Sequence, residues 1–232
     1  MADMKAAVIE QLVGGGVVAI IRTTTAEPVL RIAHALINGG VTAMEVTLTT
    51  PNALAAITAI IDRFGDEVLV GVGSVLTVAQ CRDAISAGAR YVISPNLSES
   101  VVQMTRSLGV VSIPGAYTPS EIVRAAECGA DLVKIFPAAA LGSGYVRDVL
   151  APLPHLKLMP TGGVTSTNVG QWLAAGAQCV GVGSSLVSQD VADRGEWDTI
   201  TARASAFRNA VDTARGITSA SDKSRKRQEL PA

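Results

Sequence analysis

The sequence predicts an α/β protein, a single (β/α)8 TIM barrel with an N-terminal capping helix, and three observations lead to it. Helical patterns repeatedly end in Ala-Gly or Gly-Gly and give way to a short β-branched run, at Asn38-Gly39-Gly40, Ala87-Gly88-Ala89, Leu108-Gly109-Val110, Cys128-Gly129-Ala130 and Ala175-Gly176-Ala177. Glycine just past a helix supplies the left-handed residue that stops it, so each phrase reads as helix end followed by strand start. The phrases recur about every 20–25 residues, with Phe64-Gly65-Asp66 and Pro152-Leu153-Pro154 in the wider gaps, and that is the length of one βα unit. Finally, 232 residues suit one domain of a fold that typically uses about 250.

Taken in order, a helix over about Lys5–Val13 precedes the first strand and is placed to cover the bottom of the barrel. The expected strands are Val17–Ile21, Ala43–Thr47, Val68–Val72, Tyr91–Ser94, Val110–Ile113, Leu132–Phe136, Leu156–Met159 and Cys179–Val182, eight in all. Helical periodicity fills the segments between them, as in Val29, Leu30, Ile32, Ala33, Leu36 and Ile37. Thr118-Pro119-Ser120-Glu121 carries the hydroxyl cap, early proline and first-turn acid of a helix start. Eight strands alternating with helices predict a closed parallel barrel, although a strand count alone does not separate it from an open doubly wound sheet. Residues 1–217 form one domain on this reading. The polar stretch 218–232, with Lys223, Arg225, Lys226 and Arg227, reads as a disordered tail.

Composition narrows the function classes. Hydrophobic residues make up 48% of the chain, enough for a sizeable core. Aromatics at 3% and a net charge of -1 offer neither stacking platforms nor a basic footprint, so no nucleic-acid partner is expected. The three cysteines, Cys81, Cys128 and Cys179, show no CxxC spacing and fit a reducing cytoplasm. Met1-Ala2-Asp3-Met4-Lys5 is too polar for a signal peptide, and no apolar run approaches the roughly 18 residues of a membrane span.

Chemistry centres on Asp131-Leu132-Val133-Lys134-Ile135-Phe136-Pro137, where one lysine stands within an apolar, β-prone run. Period-two alternation puts Leu132, Lys134 and Phe136 on one face, and in a parallel sheet both faces are buried. Burial disfavours an ammonium ion and is one way a lysine becomes the nucleophile of Schiff-base chemistry. A gatekeeper lysine on an edge strand is the structural alternative. Glu45 is the second charge in an apolar strand, sharing a face with Ala43 and Thr47, and Lys134 is its natural partner in the same interior. The two form either a structural ion pair or the minimum kit for an amine-catalysed reaction with an acid to shuttle protons. Neither histidine, His34 or His155, lies at a strand's carboxyl end, and HxH and HExxH spacings are absent, so no metal cofactor is expected.

Active sites of such barrels sit at the carboxyl ends of the strands. Those ends are Arg22, Thr47, Gly73-Ser74, Ser94-Pro95-Asn96, Pro114-Gly115, Phe136-Pro137, Thr161-Gly162-Gly163 and Gly183-Ser184. The last two glycine loops fit the usual phosphate position of the fold, although each alone reads equally as an ordinary turn.

Glu45-Val46-Thr47-Leu48, Gly71-Val72-Gly73-Ser74-Val75-Leu76, Ser94-Pro95-Asn96, Pro114-Gly115, Lys134-Ile135-Phe136-Pro137 and Pro160-Thr161-Gly162-Gly163-Val164 resemble the class I 2-keto-3-deoxy-6-phosphogluconate (KDPG) and 2-keto-4-hydroxyglutarate (KHG) aldolases. Closely similar to these are the 2-keto-3-deoxy-6-phosphogalactonate aldolases. The resemblance runs in order over about residues 12–215. It implies a homotrimeric barrel that cleaves a phosphorylated keto sugar acid to pyruvate and glyceraldehyde 3-phosphate with no cofactor beyond the covalent Schiff base. Lys134 would be the Schiff-base lysine and Glu45 the proton shuttle. Substrate-binding positions would be Arg22, Thr47, Gly73, Ser74, Pro95, Phe136 and Thr161, and phosphate-binding positions Gly162, Gly163, Gly183 and Ser184. Thr49 departs from many gluconate-type members, which have an arginine there, and so leaves the preferred sugar epimer open. A phosphate-binding barrel with other chemistry, or one that binds a phosphosugar without turnover, is the competing reading.

Overall fold

Short parallel strands, each followed by a helix or turn, run through the computed structural model, which describes residues 2–217; the expectation for 218–232 lies outside the described residues. The strands are β1 (Val17–Ile21), β2 (Ala43–Thr47), β3 (Leu69–Gly73), β4 (Tyr91–Ile93), β5 (Val111–Ile113), β6 (Gly115–Ala116), β7 (Val133–Ile135), β8 (Leu158–Pro160) and β9 (Val180–Val182). The helices are α1 (Ala2–Gly15), α2 (Val29–Asn38), α3 (Ala53–Phe64), α4 (Val78–Ser86), α5 (Glu99–Ser107), α6 (Pro119–Glu127), α7 (Gly142–Leu150), α8 (Val169–Ala174), α9 (Gln189–Asp193) and α10 (Trp197–Ala214).

The single ring of eight strands expected from the sequence is not drawn as such. The strands curl instead in two pieces, a six-stranded sheet in the order β5-β4-β3-β2-β1-β9 and a three-stranded sheet β6-β7-β8. One parallel bridge, Thr161 to Gly181, joins the pieces on one side. On the other side β5 ends before Pro114, where the fifth strand was expected to end, and an unexpected short strand, β6, begins after that proline, which has no N–H to give a ladder. Its carbonyl still accepts from Lys134 N at 2.9 Å, and Ser112 O accepts from Asp131 N at 2.9 Å. Boundaries of the third to eighth expected strands also move by one or two residues. The third strand ends at Gly73, and the seventh forms at Leu158–Pro160, because Leu156 N is taken by Leu153 O in the preceding turn at 3.2 Å.

Helix ends follow the predicted punctuation. Gly40, Gly88, Gly109, Gly129 and Gly176 all have positive φ, 82°, 104°, 73°, 93° and 103°. Thr118 and Glu121 form a reciprocal capping box at the start of α6, with proline in its first turn.

Alternation along the strands separates two cores. Val17, Ala19, Ile21, Met44, Val46, Val133, Ile135, Val180 and Val182 pack outward with the helices. Val18, Ala43, Leu69, Tyr91, Ile93, Val111, Ile113, Leu132, Met159 and Cys179 pack inward on one another. The N-terminal helix exceeds the expected Lys5–Val13 and sends Leu12, fully buried, into the inward cluster, with Val8 and Ile9 beside it. Its last carbonyls, orphaned as at every helix end, accept from α10 and its C-terminal flank: Arg208 Nη1 binds Gly15 O at 2.5 Å, and Arg215 binds Val13 O and Gly14 O, each at 2.7 Å. Among the described residues, no helix is long and apolar enough to cross a membrane.

Candidate active site

Lys134 faces inward because its neighbours Val133 and Ile135 belong to the outward core. It is only 6% exposed, paired in register with Gly115 on one side and Met159 on the other. Its Nζ lies 4.9 Å from the centre of the Phe136 ring, so the ammonium form gains a cation–π contact where water is largely excluded.

Glu45 is 1% exposed and stands in register with Ile20 on β1 and Gly71 on β3. Its carboxylate leans over Gly73, where a methyl group would come within 2.8 Å of Cδ and Oε1. Oε2 is buried without a hydrogen-bond partner among the described residues. Burial pushes the Glu45 carboxyl above the usual glutamate range, and the charges of Lys134 and Arg22 pull in the opposite direction without winning. Of the two arrangements left open for Lys134 and Glu45, the contact ion pair is not formed among the described residues. Lys134 Nζ lies over Phe136 and the Glu45 carboxyl over Gly73, and Lys134 acts on the carboxyl through charge across the interior.

Replacing Gly73 by alanine is therefore expected to displace the Glu45 carboxyl and to lower any activity that depends on it by about tenfold or more. Steady-state kinetics on the variant check this.

A cavity of about 580 Å³ opens where β1, β7, β8 and β9 end, and it is lined by Arg22, Phe136, Thr161, Gly162, Gly163, Gly183 and Ser184. These seven were expected on sequence grounds to bind substrate or phosphate, and the fold brings them together. Gly162 and Gly163, at φ 99° and 73°, adopt a backbone that a side chain would strain, which leaves this wall open to a ligand. Thr161 Oγ1 is buried and unpartnered. Val164 and Ser185 of the two glycine loops line the same cavity, and Ile20, Thr165 and Gln189 join them without having been expected. Gln189 belongs to α9 and is held by Thr24, whose N–H donates to Oε1 at 3.0 Å; no local motif announces so distant a pairing.

The remaining expected residues, Thr47, Gly73, Ser74 and Pro95, lie outside that cavity but close to the two charges. Thr47 pairs with Gly73 in register, and its hydroxyl bonds that of Thr49 at 2.8 Å. Ser74 holds φ 61°, an uncommon conformation for a residue with a side chain. The Pro95 carbonyl crowds Gly115, the register neighbour of Lys134, where a methyl group would meet it at 2.3 Å. Phe136 connects the groups, since it lines the cavity and touches the lysine. Among the described residues, no cluster of three or more His, Cys, Asp or Glu could hold a metal ion.

A curled parallel sheet with a buried amine, a buried carboxyl and a glycine-walled cavity at the strands' carboxyl ends has the layout of an α/β enzyme site. Residues 8–203 match the family model for KDPG and KHG aldolase. The chain is 37% identical over 187 residues to a 2-dehydro-3-deoxy-phosphogluconate aldolase of Treponema pallidum, covering 80% of this chain and 89% of the relative. It is 33% identical over 195 residues to a 2-dehydro-3-deoxy-6-phosphogalactonate aldolase of Escherichia coli, covering 84% and 95%. It superposes with a TM-score of 0.79, at 33% identity over 88% of this chain and 97% of the other, on a KDPG aldolase from Legionella pneumophila with pyruvate captured as a covalent carbinolamine intermediate. The chain belongs to the KDPG and KHG aldolase family and is a lyase that cleaves carbon–carbon bonds.

Proposed function

We propose that this protein is a metal-independent class I aldolase that reversibly cleaves 2-keto-3-deoxy-6-phosphogluconate to pyruvate and D-glyceraldehyde 3-phosphate. The observation that carries the reading is the inward pair of Lys134 and Glu45, 6% and 1% exposed, on opposite sides of one interior.

Lys134 Nζ adds to the keto carbon, and loss of water from the carbinolamine leaves an iminium ion. Glu45 takes the C4 hydroxyl proton while the C3–C4 bond breaks and its electrons move into the iminium, giving an enamine and the aldehyde. The proton returns to the enamine carbon, and water releases pyruvate from the lysine. The buried Oε2 of Glu45, free of protein hydrogen bonds, supports this shuttle role, and its raised pKa eases proton exchange near neutral pH.

Arg22 is assigned the substrate carboxylate, with Thr47, Gly73, Ser74, Pro95, Phe136 and Thr161 around the pyruvyl portion and Gly162, Gly163, Gly183 and Ser184 around the phosphate. Ser184 is exposed at the cavity mouth, while the Ser185 hydroxyl is already given to Val164 O at 2.6 Å. Ser184→Ala is expected to raise KM for the phosphorylated substrate by about tenfold and leave kcat within about twofold, because a hydrogen bond to a charged group carries about 1.5–3 kcal/mol. An unchanged KM removes Ser184 from the phosphate site.

In the assembled protein the strands close into an eight-membered barrel, α1 caps its lower end, residues 1–217 act as one domain, and three copies associate in the cytoplasm. The galactonate epimer is the second reading, favoured by the 33%-identical relative of that name and by Thr49, whose hydroxyl is tied to Thr47. Turnover of the two epimeric phosphates side by side, with and without a chelator, tests both specificity and metal independence.

A further inference from the structure

Three buried side-chain polar atoms lack a hydrogen-bond partner among the described residues, and they are Glu45 Oε2, Thr161 Oγ1 and Tyr91 OH. The first two belong to the proposed site. Tyr91 does not, and a phenol that is 0% exposed with its hydroxyl unsatisfied carries a penalty that an isosteric phenylalanine would avoid.

The fold aims this phenol at Glu45. Register partners run Glu45 to Gly71 across β2 and β3, and Val72 to Val92 across β3 and β4, which sets Tyr91 level with Gly71. Tyr91 belongs to the inward cluster, and its ring fills the place of a Gly71 side chain: a methyl group there would lie 2.2–2.5 Å from Cε2, Cδ2 and Cζ. The glycine thus lets the ring cross β3 toward the strand that bears Glu45. The electrostatics at the phenol agree with that proximity. Burial pushes the phenol well above its usual range, with the charges of Glu45 and then Cys179 adding to it, while the Gly71 amide offsets a little without reaching hydrogen-bond geometry.

We propose that Tyr91 is a positioning residue for Glu45, donating its hydroxyl through one bridging water to Oε2 and so favouring the carboxylate that accepts the substrate's proton. A water between two orphaned polar atoms satisfies both. The charged or titratable groups that sense Glu45 are Lys134 on β7, Arg22 just beyond β1 and Tyr91 on β4, and Cys179 beside β9 also faces Tyr91. Lys134 and Arg22 act through charge, whereas Tyr91 adds a directed donor.

The inference rests on the aldolase reading, and the test keeps the two apart. Wild type and Tyr91→Phe are compared for borohydride trapping of pyruvate and for deuterium exchange into the pyruvate methyl group across pH. Losing a donor to the carboxylate raises the Glu45 pKa, so the acid limb of the exchange profile should move to higher pH by on the order of one unit. Exchange below that limb then falls about tenfold. The plateau and the trapping should stay within about twofold of wild type. An unshifted profile overturns the role of Tyr91, as does a uniform loss of trapping and exchange. Absence of trapping in wild type overturns the aldolase reading and this inference with it.

Discussion

Replacing Lys134 by alanine is expected to lower aldol cleavage by at least about four orders of magnitude, because the change deletes the nucleophile and with it the electron sink. The chain should still fold. Among the described residues Lys134 is in no contact ion pair, and removing its side chain from a site only 6% exposed leaves Val133 and Ile135 in the outward core. Its departure does leave Glu45 without one of the two charges that pull its carboxyl downward. The variant's carboxyl therefore titrates higher than in wild type, and the protonated form needs no buried counter-charge. Circular dichroism with coupled pyruvate detection separates lost chemistry from lost fold. An alanine variant that keeps more than about a hundredth of wild-type turnover contradicts the assignment.

Glu45→Gln is expected to keep pyruvate trapping on the lysine while methyl-proton exchange and cleavage fall by about two to four orders of magnitude, the range of a positioned acid–base group. The same substitution should stabilise the protein at neutral pH. A carboxyl whose pKa is raised by folding binds its proton more tightly in the folded state. Stability is therefore fully present below the unfolded value of about 4.3 and declines as pH climbs from there through the raised folded value. Glutamine removes that decline. The variant's melting temperature should match wild type in acid and exceed it at neutral pH and above, by about 2–4 °C for each kcal/mol recovered. A variant less stable than wild type at neutral pH would show that attraction to Lys134 and Arg22, rather than burial, dominates at this carboxyl.

Much of this site was legible before any coordinates, for reasons particular residues make plain. Lys134 and Glu45 were visible because a charge within a run such as Leu-Val-Lys-Ile-Phe has no solvent to face once both sides of a parallel strand are covered. The helix-ending glycines were visible because their positive φ values are costly for other residues. The seven cavity residues were visible because the fold gathers its strand ends on one side.

Other features depend on distances that periodicity does not encode. The strand β6 beyond Pro114 covers only Gly115–Ala116, too short a run for period-two alternation to announce. Separation of the amine from the carboxyl follows from Phe136 and Gly73 offering each its own support. Gln189 reaches the cavity from a helix beyond the last strand, and Tyr91 reads in the sequence as one more strand aromatic. Its interest lies in what Gly71 omits on the strand beside it.

The most direct measurement is reduction of the protein with borohydride in the presence of pyruvate, followed by peptide mapping. A reduced pyruvyl adduct on the peptide containing Lys134, absent without pyruvate and formed equally well with a chelator present, is the predicted result. An unmodified Lys134 under conditions of full turnover, or an adduct on a different lysine, would contradict the account at its centre.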